Sequence, residues 1–174
     1  MRIYRESRPY QWKVDAKKDS IIFKDFPRSL LKRMGKENLA FHAHDWTVAT
    51  KTYQTSPKLA NFFKILATDT LNGTEFVMAV QAHKYPIYGI MNHPETQNMR
   101  VFGTDKTALQ GRVNDETTDA INFYFSSFLN KSAKQNLQTH YFDDKAFGKR
   151  MEFKNVPVGF TFIYDSVALT YGFD

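Results

Sequence analysis

The period of the apolar residues switches repeatedly along this chain, which confines it to folds where helices and strands are interleaved. Asp25 to Met34 reads as a short helix: Phe26, Leu30, Leu31 and Met34 recur at helical spacing, Pro27 lies in the first turn and Gly35 can end it. Leu39 to Tyr53 changes to alternation, with Ala43, Asp45, Thr47 and Ala49 set against His44, Trp46 and Val48, which predicts a strand. Ser56 as N-cap and Pro57 at the first position open a second helix whose apolar stripe is Leu59, Phe62, Phe63 and Leu66. Asn72-Gly73 marks a turn, and Glu75 to Ala82 and Ile87 to Asn92 read as two strands that pair as an antiparallel hairpin. Thr96 to Val113 holds two glycines and no firm period, which suggests an extended loop. Asp115 to Gln135 reads as a long helix with Ile121, Phe125, Phe128 and Leu129 on one face, acidic at its start and basic at its end as the helix dipole favours. From Met151 onward the chain is aromatic and β-rich (Phe153, Phe160, Phe162, Tyr164), consistent with a terminal strand or two. The expected class is α/β.

Composition narrows the functions open to such a fold. The chain is 42% hydrophobic with 16 Phe and 9 Tyr, enough for a chain of its size to bury about 70% of its unfolded surface. It has no cysteine, which excludes disulfides, thiolate metal sites and a Cys nucleophile within these residues. The net charge of +6 is uneven: residues 1–36 hold 11 basic and 4 acidic side chains, and residues 37–174 hold 13 and 14. Segment 1–36 therefore reads either as a contact for an anionic partner (nucleic acid, an acidic protein or a lipid surface) or as an ordinary solvated face. No apolar run approaches the roughly 20 residues that a membrane span needs. Met1 to Arg8 lacks the hydrophobic stretch of a secretory signal.

The sharpest local feature is the run Lys84-Tyr85-Pro86-Ile87-Tyr88-Gly89 followed by His93-Pro94-Glu95. On an extended segment, side chains at i and i+2 share a face, so Glu95 can hold one tautomer of His93 and stabilise its cation. That is what a general base beside a nucleophile requires. Read from the residues alone, His44 is a strand residue packed against Trp46. His42 and His83 read as surface or loop residues. A His42/His44 pair lacks a convincing third ligand, so no metal or other cofactor is expected.

These residues resemble the γ-glutamyl hydrolase (folylpolyglutamate hydrolase) family, which is class I glutamine-amidotransferase-like. Other stretches agree in order and spacing: Asp25-Phe26-Pro27 with Leu30-Leu31, Glu37-Asn38-Leu39, His44-Asp45-Trp46, Pro57-Lys58-Leu59 with Phe62-Phe63, Glu75-Phe76, and the closing Tyr171-Gly172-Phe173-Asp174. The likeness runs from about Pro9 to the C-terminus. It implies the C-terminal half of a flavodoxin-like three-layer domain, with residues 1–36 leading into it and 37–174 forming that half. In the family a Cys attacks the γ-glutamyl amide carbonyl, the His of His-Pro-Glu serves as base then acid, and the Glu orients it; these last two roles fall on His93 and Glu95. A family histidine near the substrate falls on His44.

The sequence departs from the family in two places. Met91-Asn92 stands where the family usually carries Gln-Trp, and the Cys-bearing half with its oxyanion hole is not in this sequence. The resemblance thus implies a γ-glutamyl hydrolase-like protein that is inactive alone, as a truncated or split chain completed by another, Cys-bearing polypeptide. The alternative is a non-catalytic interaction subunit of a larger assembly; nucleic-acid binding through segment 1–36 has only charge in its favour. The family's habit is lysosomal or secreted, and Asn72-Gly73-Thr74 and Asn130-Lys131-Ser132 are glycosylation sequons, but the compartment is left open.

Overall fold

The computed structural model describes residues 2–96 and 111–135, together with the backbone of 159–163 and 166–170. In chain order these form strands β1 (Ile3–Arg8) and β2 (Gln11–Trp12), then helices α1 (Ala16–Asp19) and α2 (Arg28–Met34). Strand β3 (Ala40–His44), helices α3 (Thr50–Thr55) and α4 (Pro57–Phe62) and the pair β4 (Phe63–Leu71) and β5 (Thr74–Ala82) come after them. Next are β6 (Tyr88–Ile90), a 3-10 turn at Pro94–Thr96, the long helix α5 (Glu116–Gln135), and β7 (Gly159–Ile163) with β8 (Ser166–Thr170). Strand β1 pairs with β3, β7 pairs with β8, and a four-stranded sheet has the order β2-β4-β5-β6. All pairings among the described strands are antiparallel, in a fold of mixed α and β structure.

The Asn72-Gly73 turn sets the register of the larger sheet. Both residues have positive φ, 50° and 73°, the backbone a two-residue hairpin needs, and Leu71 comes opposite Thr74. Strand β6 then adds to β5, with Ala79 opposite Ile90, as the hairpin expectation required. On the other side of the core, the Asp115 carboxylate accepts the N–H groups of Thr117 (3.0 Å) and Thr118 (2.9 Å) and so starts α5. Phe125 of α5 meets Phe23 and Phe26 with ring centroids 6.0 Å apart, and Phe128 meets Tyr88 of β6 at 5.3 Å. Leu129, expected on the same face, is exposed, so the stripe is narrower than its spacing suggested.

Two expectations need correction. The second helix ends at Phe62; Phe63 opens β4, and Leu66 is fully buried within the sheet instead of on a helix face. The register of β4 against β5 shifts between Ile65 and Thr68. Such bulges erase clean alternation, and Leu59, Phe62, Phe63 and Leu66 then mimic a helical stripe. The strand expected over Leu39 to Tyr53 covers only Ala40–His44, and the chain becomes helical again at Thr50. Residues 97–110 of the expected loop, Phe153 and Tyr164 of the tail, and Tyr171-Gly172-Phe173-Asp174 lie outside the described residues.

Segment 1–36 shares one core with residues far along the chain. Ile3, Tyr10, Ile22, Phe23, Phe26, Leu31 and Met34 cluster with Leu66, Phe76, Met78, Ile121 and Phe125. Several of its basic side chains meet carboxylates of the same chain: Arg2 with Asp45 at 2.7 Å, Arg33 with Glu37 at 2.8 Å, Lys13 with Glu75, and Arg8 with Asp69. Part of the charge asymmetry is therefore matched within the fold. Among the described residues, no helix is long and apolar enough to cross a membrane.

Candidate active site

The segment after β6 is tied down one residue at a time. The Met91 N–H donates to the Met78 carbonyl at 2.9 Å, which continues the ladder beyond Ile90. Asn92 is buried and its side-chain oxygen accepts the hydroxyl of Tyr10 at 2.5 Å. The His93 N–H then donates to the Phe41 carbonyl of β3 at 2.8 Å. Tyr10 is itself fully buried, and desolvation pushes its phenol pKa upward, so it stays a neutral donor. Met91-Asn92, read as an altered stretch of pocket wall, is thus part of what fixes His93 in space.

His93 and Glu95 are brought together, though by a different route from an extended segment. Pro94–Thr96 forms a 3-10 turn, closed by the Thr96 hydroxyl donating to the His93 carbonyl at 2.8 Å. The turn folds Glu95 back so that its Oε1 lies 2.7 Å from His93 Nδ1. The hydrogen bond that His93 donates to Glu95 raises the His93 pKa above its ordinary value, against an opposing effect of burial. Burial pushes the Glu95 carboxyl up, but hydrogen bonds from His93 and from its own backbone leave it below its ordinary value. The pair is half open, with the imidazole side chain 37% exposed and the carboxylate side chain 62%. An imidazole held through Nδ1 by a carboxylate keeps Nε2 as its basic nitrogen, the arrangement of a general base.

The histidines of β3 complete the site. His42, expected at the surface, is fully buried, because both faces of β3 are covered at its start. Its Nδ1 lies 2.9 Å from His44 Nε2. Burial drives the His42 pKa down to about 3, with further lowering from His44, His93 and Arg8. His44 is also lowered, mainly by burial, and its ring centroid lies 6.5 Å from that of His93. It does not pack against Trp46, which is 81% exposed. His83 is an exposed loop residue, as expected. Among the described residues, no group of three or more His, Asp or Glu could hold a metal ion.

Sequence reasoning missed His42, Tyr10 and Asn92. A signal for His42 lay in the i, i+2 spacing to His44, which puts both on one face of a strand. Tyr10, 82 residues away from Asn92, gave none.

Comparison with known proteins decides the family. A gamma-glutamyl hydrolase of Mus musculus is 32% identical over 131 residues, covering 75% of this chain and 39% of that protein. The chain belongs to the gamma-glutamyl hydrolase family. The gamma-glutamyl hydrolase of Homo sapiens is 30% identical over 132 residues, 73% of this chain and 38% of its own length. Gamma-glutamyl hydrolase 2 of Arabidopsis thaliana is 37% identical over 86 residues, 49% of this chain and 24% of its own length. The chain spans well under half the length of these relatives. No protein-family model matches it.

Proposed function

We propose that this chain carries the acid–base part of a γ-glutamyl hydrolase site, on the C-terminal half of a class I glutamine-amidotransferase-like domain. The observation that carries the reading is the 2.7 Å contact between His93 Nδ1 and Glu95 Oε1. Glu95 orients the imidazole and stabilises its cation, so His93 Nε2 takes the proton of an attacking thiol and returns it to the leaving amine. The bond broken is the γ-glutamyl amide of a folylpoly-γ-glutamate, and water then releases the acyl group. His44 lines the substrate side of the pair.

The nucleophile has to come from elsewhere, since these 174 residues contain no cysteine. Loss of a covalent nucleophile costs about 10⁶ in rate in a serine protease. Each missing oxyanion-hole donor costs roughly a further 10²–10³. A Cys-bearing polypeptide that completes the domain is the partner this chemistry calls for. A second reading, a non-catalytic interaction subunit, draws on the exposure of Trp46 two residues from His44.

The test is glutamate release from a poly-γ-glutamyl substrate incubated with the purified chain. No turnover is expected from the chain alone. Turnover that disappears on His93→Ala would overturn the reading and point to another nucleophile. Release that appears on adding a Cys-bearing chain, and is lost with His93→Ala, supports it over the interaction subunit.

A further inference from the structure

Three imidazoles occupy this site, and the chemistry of an acid–base pair uses only one of them. His42 is the deepest, at 0% exposure, with its ring set edge-on to Phe76 at 6.2 Å between centroids. His42 Nδ1 and His44 Nε2, 2.9 Å apart, are two neutral nitrogens that share one hydrogen, so one ring donates and the other accepts. The outer nitrogens, His42 Nε2 and His44 Nδ1, are both buried and lack a well-formed hydrogen bond. If His44 donated, the hydrogen of His42 would be stranded on Nε2 as an orphaned buried N–H, the costlier kind of unpaired group. If His42 donates, its Nε2 is a bare lone pair and the unpaired buried N–H falls to His44 Nδ1 instead, which differs from His42 Nε2 in having the Trp46 backbone as a neighbouring acceptor. The hydrogen of His44 then rests on Nδ1, where the Trp46 backbone favours a proton.

We propose that His42 is a positioning residue whose Nδ1–H donates to His44 Nε2, fixing His44 as the Nδ1-protonated tautomer and leaving His93 with Glu95 as the proton-exchanging pair. This deepens the proposed role of His93 and Glu95 and rests on it for its consequence, though not for its geometry. With Nε2 occupied and its one hydrogen on a buried Nδ1, His44, whose ring is tilted 42° to that of His93, has no exposed proton to trade with it. The charged and titratable groups that face the two rings work the same way: Arg8 and His93 oppose charge on His42, and His93 opposes it on His44. The Trp46 backbone and Asp45 favour charge on His44.

The tautomers are read from long-range proton–nitrogen spectra of the ¹⁵N-labelled chain across pH 5 to 8. The expected result is a protonated Nδ1 on both His42 and His44, unchanged through the series. His44 protonated on Nε2, or His42 titrating near its ordinary value, would overturn the proposal, and this measurement needs no variant. In His42→Asn the side-chain amide keeps an N–H near the position of Nδ1 and should preserve the His44 signature. In His42→Phe the donor is lost, and the His44 nitrogen shifts should move to those of a tautomer mixture. An unchanged His44 signature in the Phe variant contradicts the assignment. The titration of His93 in the same spectra is independent: a value that is not raised sinks the acid–base reading and leaves the His42 bond standing.

Discussion

A histidine buried as completely as His42 makes stability depend on acid. Its pKa in the fold is about 3, against an ordinary 6.5, so below pH 6.5 the unfolded chain binds a proton that the native chain refuses. Stability should therefore fall as pH drops from about 6.5 toward 3, by about 1.4 kcal/mol per pH unit from this residue. His44, lowered as well, acts in the same direction. His93 has the opposite sign: its raised pKa gives a contribution that is full below 6.5 and is lost as pH rises through its folded value. Between pH 6 and 4.5 the unfolded forms of Glu75 and Glu95 begin to take up protons, a loss of the same sign, but it is common to the native chain and a His42 variant, so the difference between the two isolates the histidine. Urea titrations across that window should show the steep slope in the native chain. A slope shallower by about 1.4 kcal/mol per unit is expected in His42→Asn. Equal slopes in the two proteins would mean that His42 is not held neutral.

The elements differ in how far their residues announce them. Helix α5 is legible because Asp115 caps it, Ile121, Phe125 and Phe128 keep one period, and Phe125 finds the core that the period implies. The β4–β5 turn is legible because Asn-Gly is the pair that accepts positive φ twice. Strand β4 is not, because its bulges break the alternation that would reveal it, and pairing to β2 and β5 is what makes Phe63–Leu71 extended. His93 and Glu95 were legible as a pair from spacing and family likeness, while His42 was not, since a histidine on a strand gives no hint that both faces are covered. The correction of β4 has a measurable consequence. Leu66→Ala, at a fully buried position, should cost about 2–5 kcal/mol. Phe62→Ala, on a helix end where the ring is 36% exposed and stacks on Tyr85, should cost about 1 kcal/mol. Equal losses at the two positions in a denaturant titration would show that one helical stripe is buried after all.

At the scale of the whole molecule, one buried ion pair joins the two sheets that flank the site. Arg8 leaves β1, pairs through Nε with Asp69 of β4, and donates its two terminal nitrogens to the Thr70 carbonyl at 2.7 Å and to Glu6 at 3.1 Å. Gln11 gives Asp69 a second partner at 3.1 Å, and the Asp69 side chain is only 4% exposed. Arg8→Ala would leave that carboxylate buried with its charge uncompensated, so a loss of about 3–5 kcal/mol is expected in thermal or urea unfolding. A loss of less than about 1 kcal/mol would mean that the pair behaves as a surface contact. The charge excess of segment 1–36 was plain in the sequence, but its carboxylate partners, Asp45, Asp69 and Glu75, come from residues far along the chain. The same tying together of distant segments holds His93, through Tyr10 and Phe41, where Glu95 can reach it. The basicity of that imidazole is the quantity on which the proposed function depends most directly. Its titration by nuclear magnetic resonance, in the native chain and in Glu95→Gln, reads it without any need for turnover. His93 is expected to titrate above 6.5 in the native chain and lower once the carboxylate is an amide. A His93 that titrates identically in the two proteins would contradict its pairing with Glu95 as an acid–base unit.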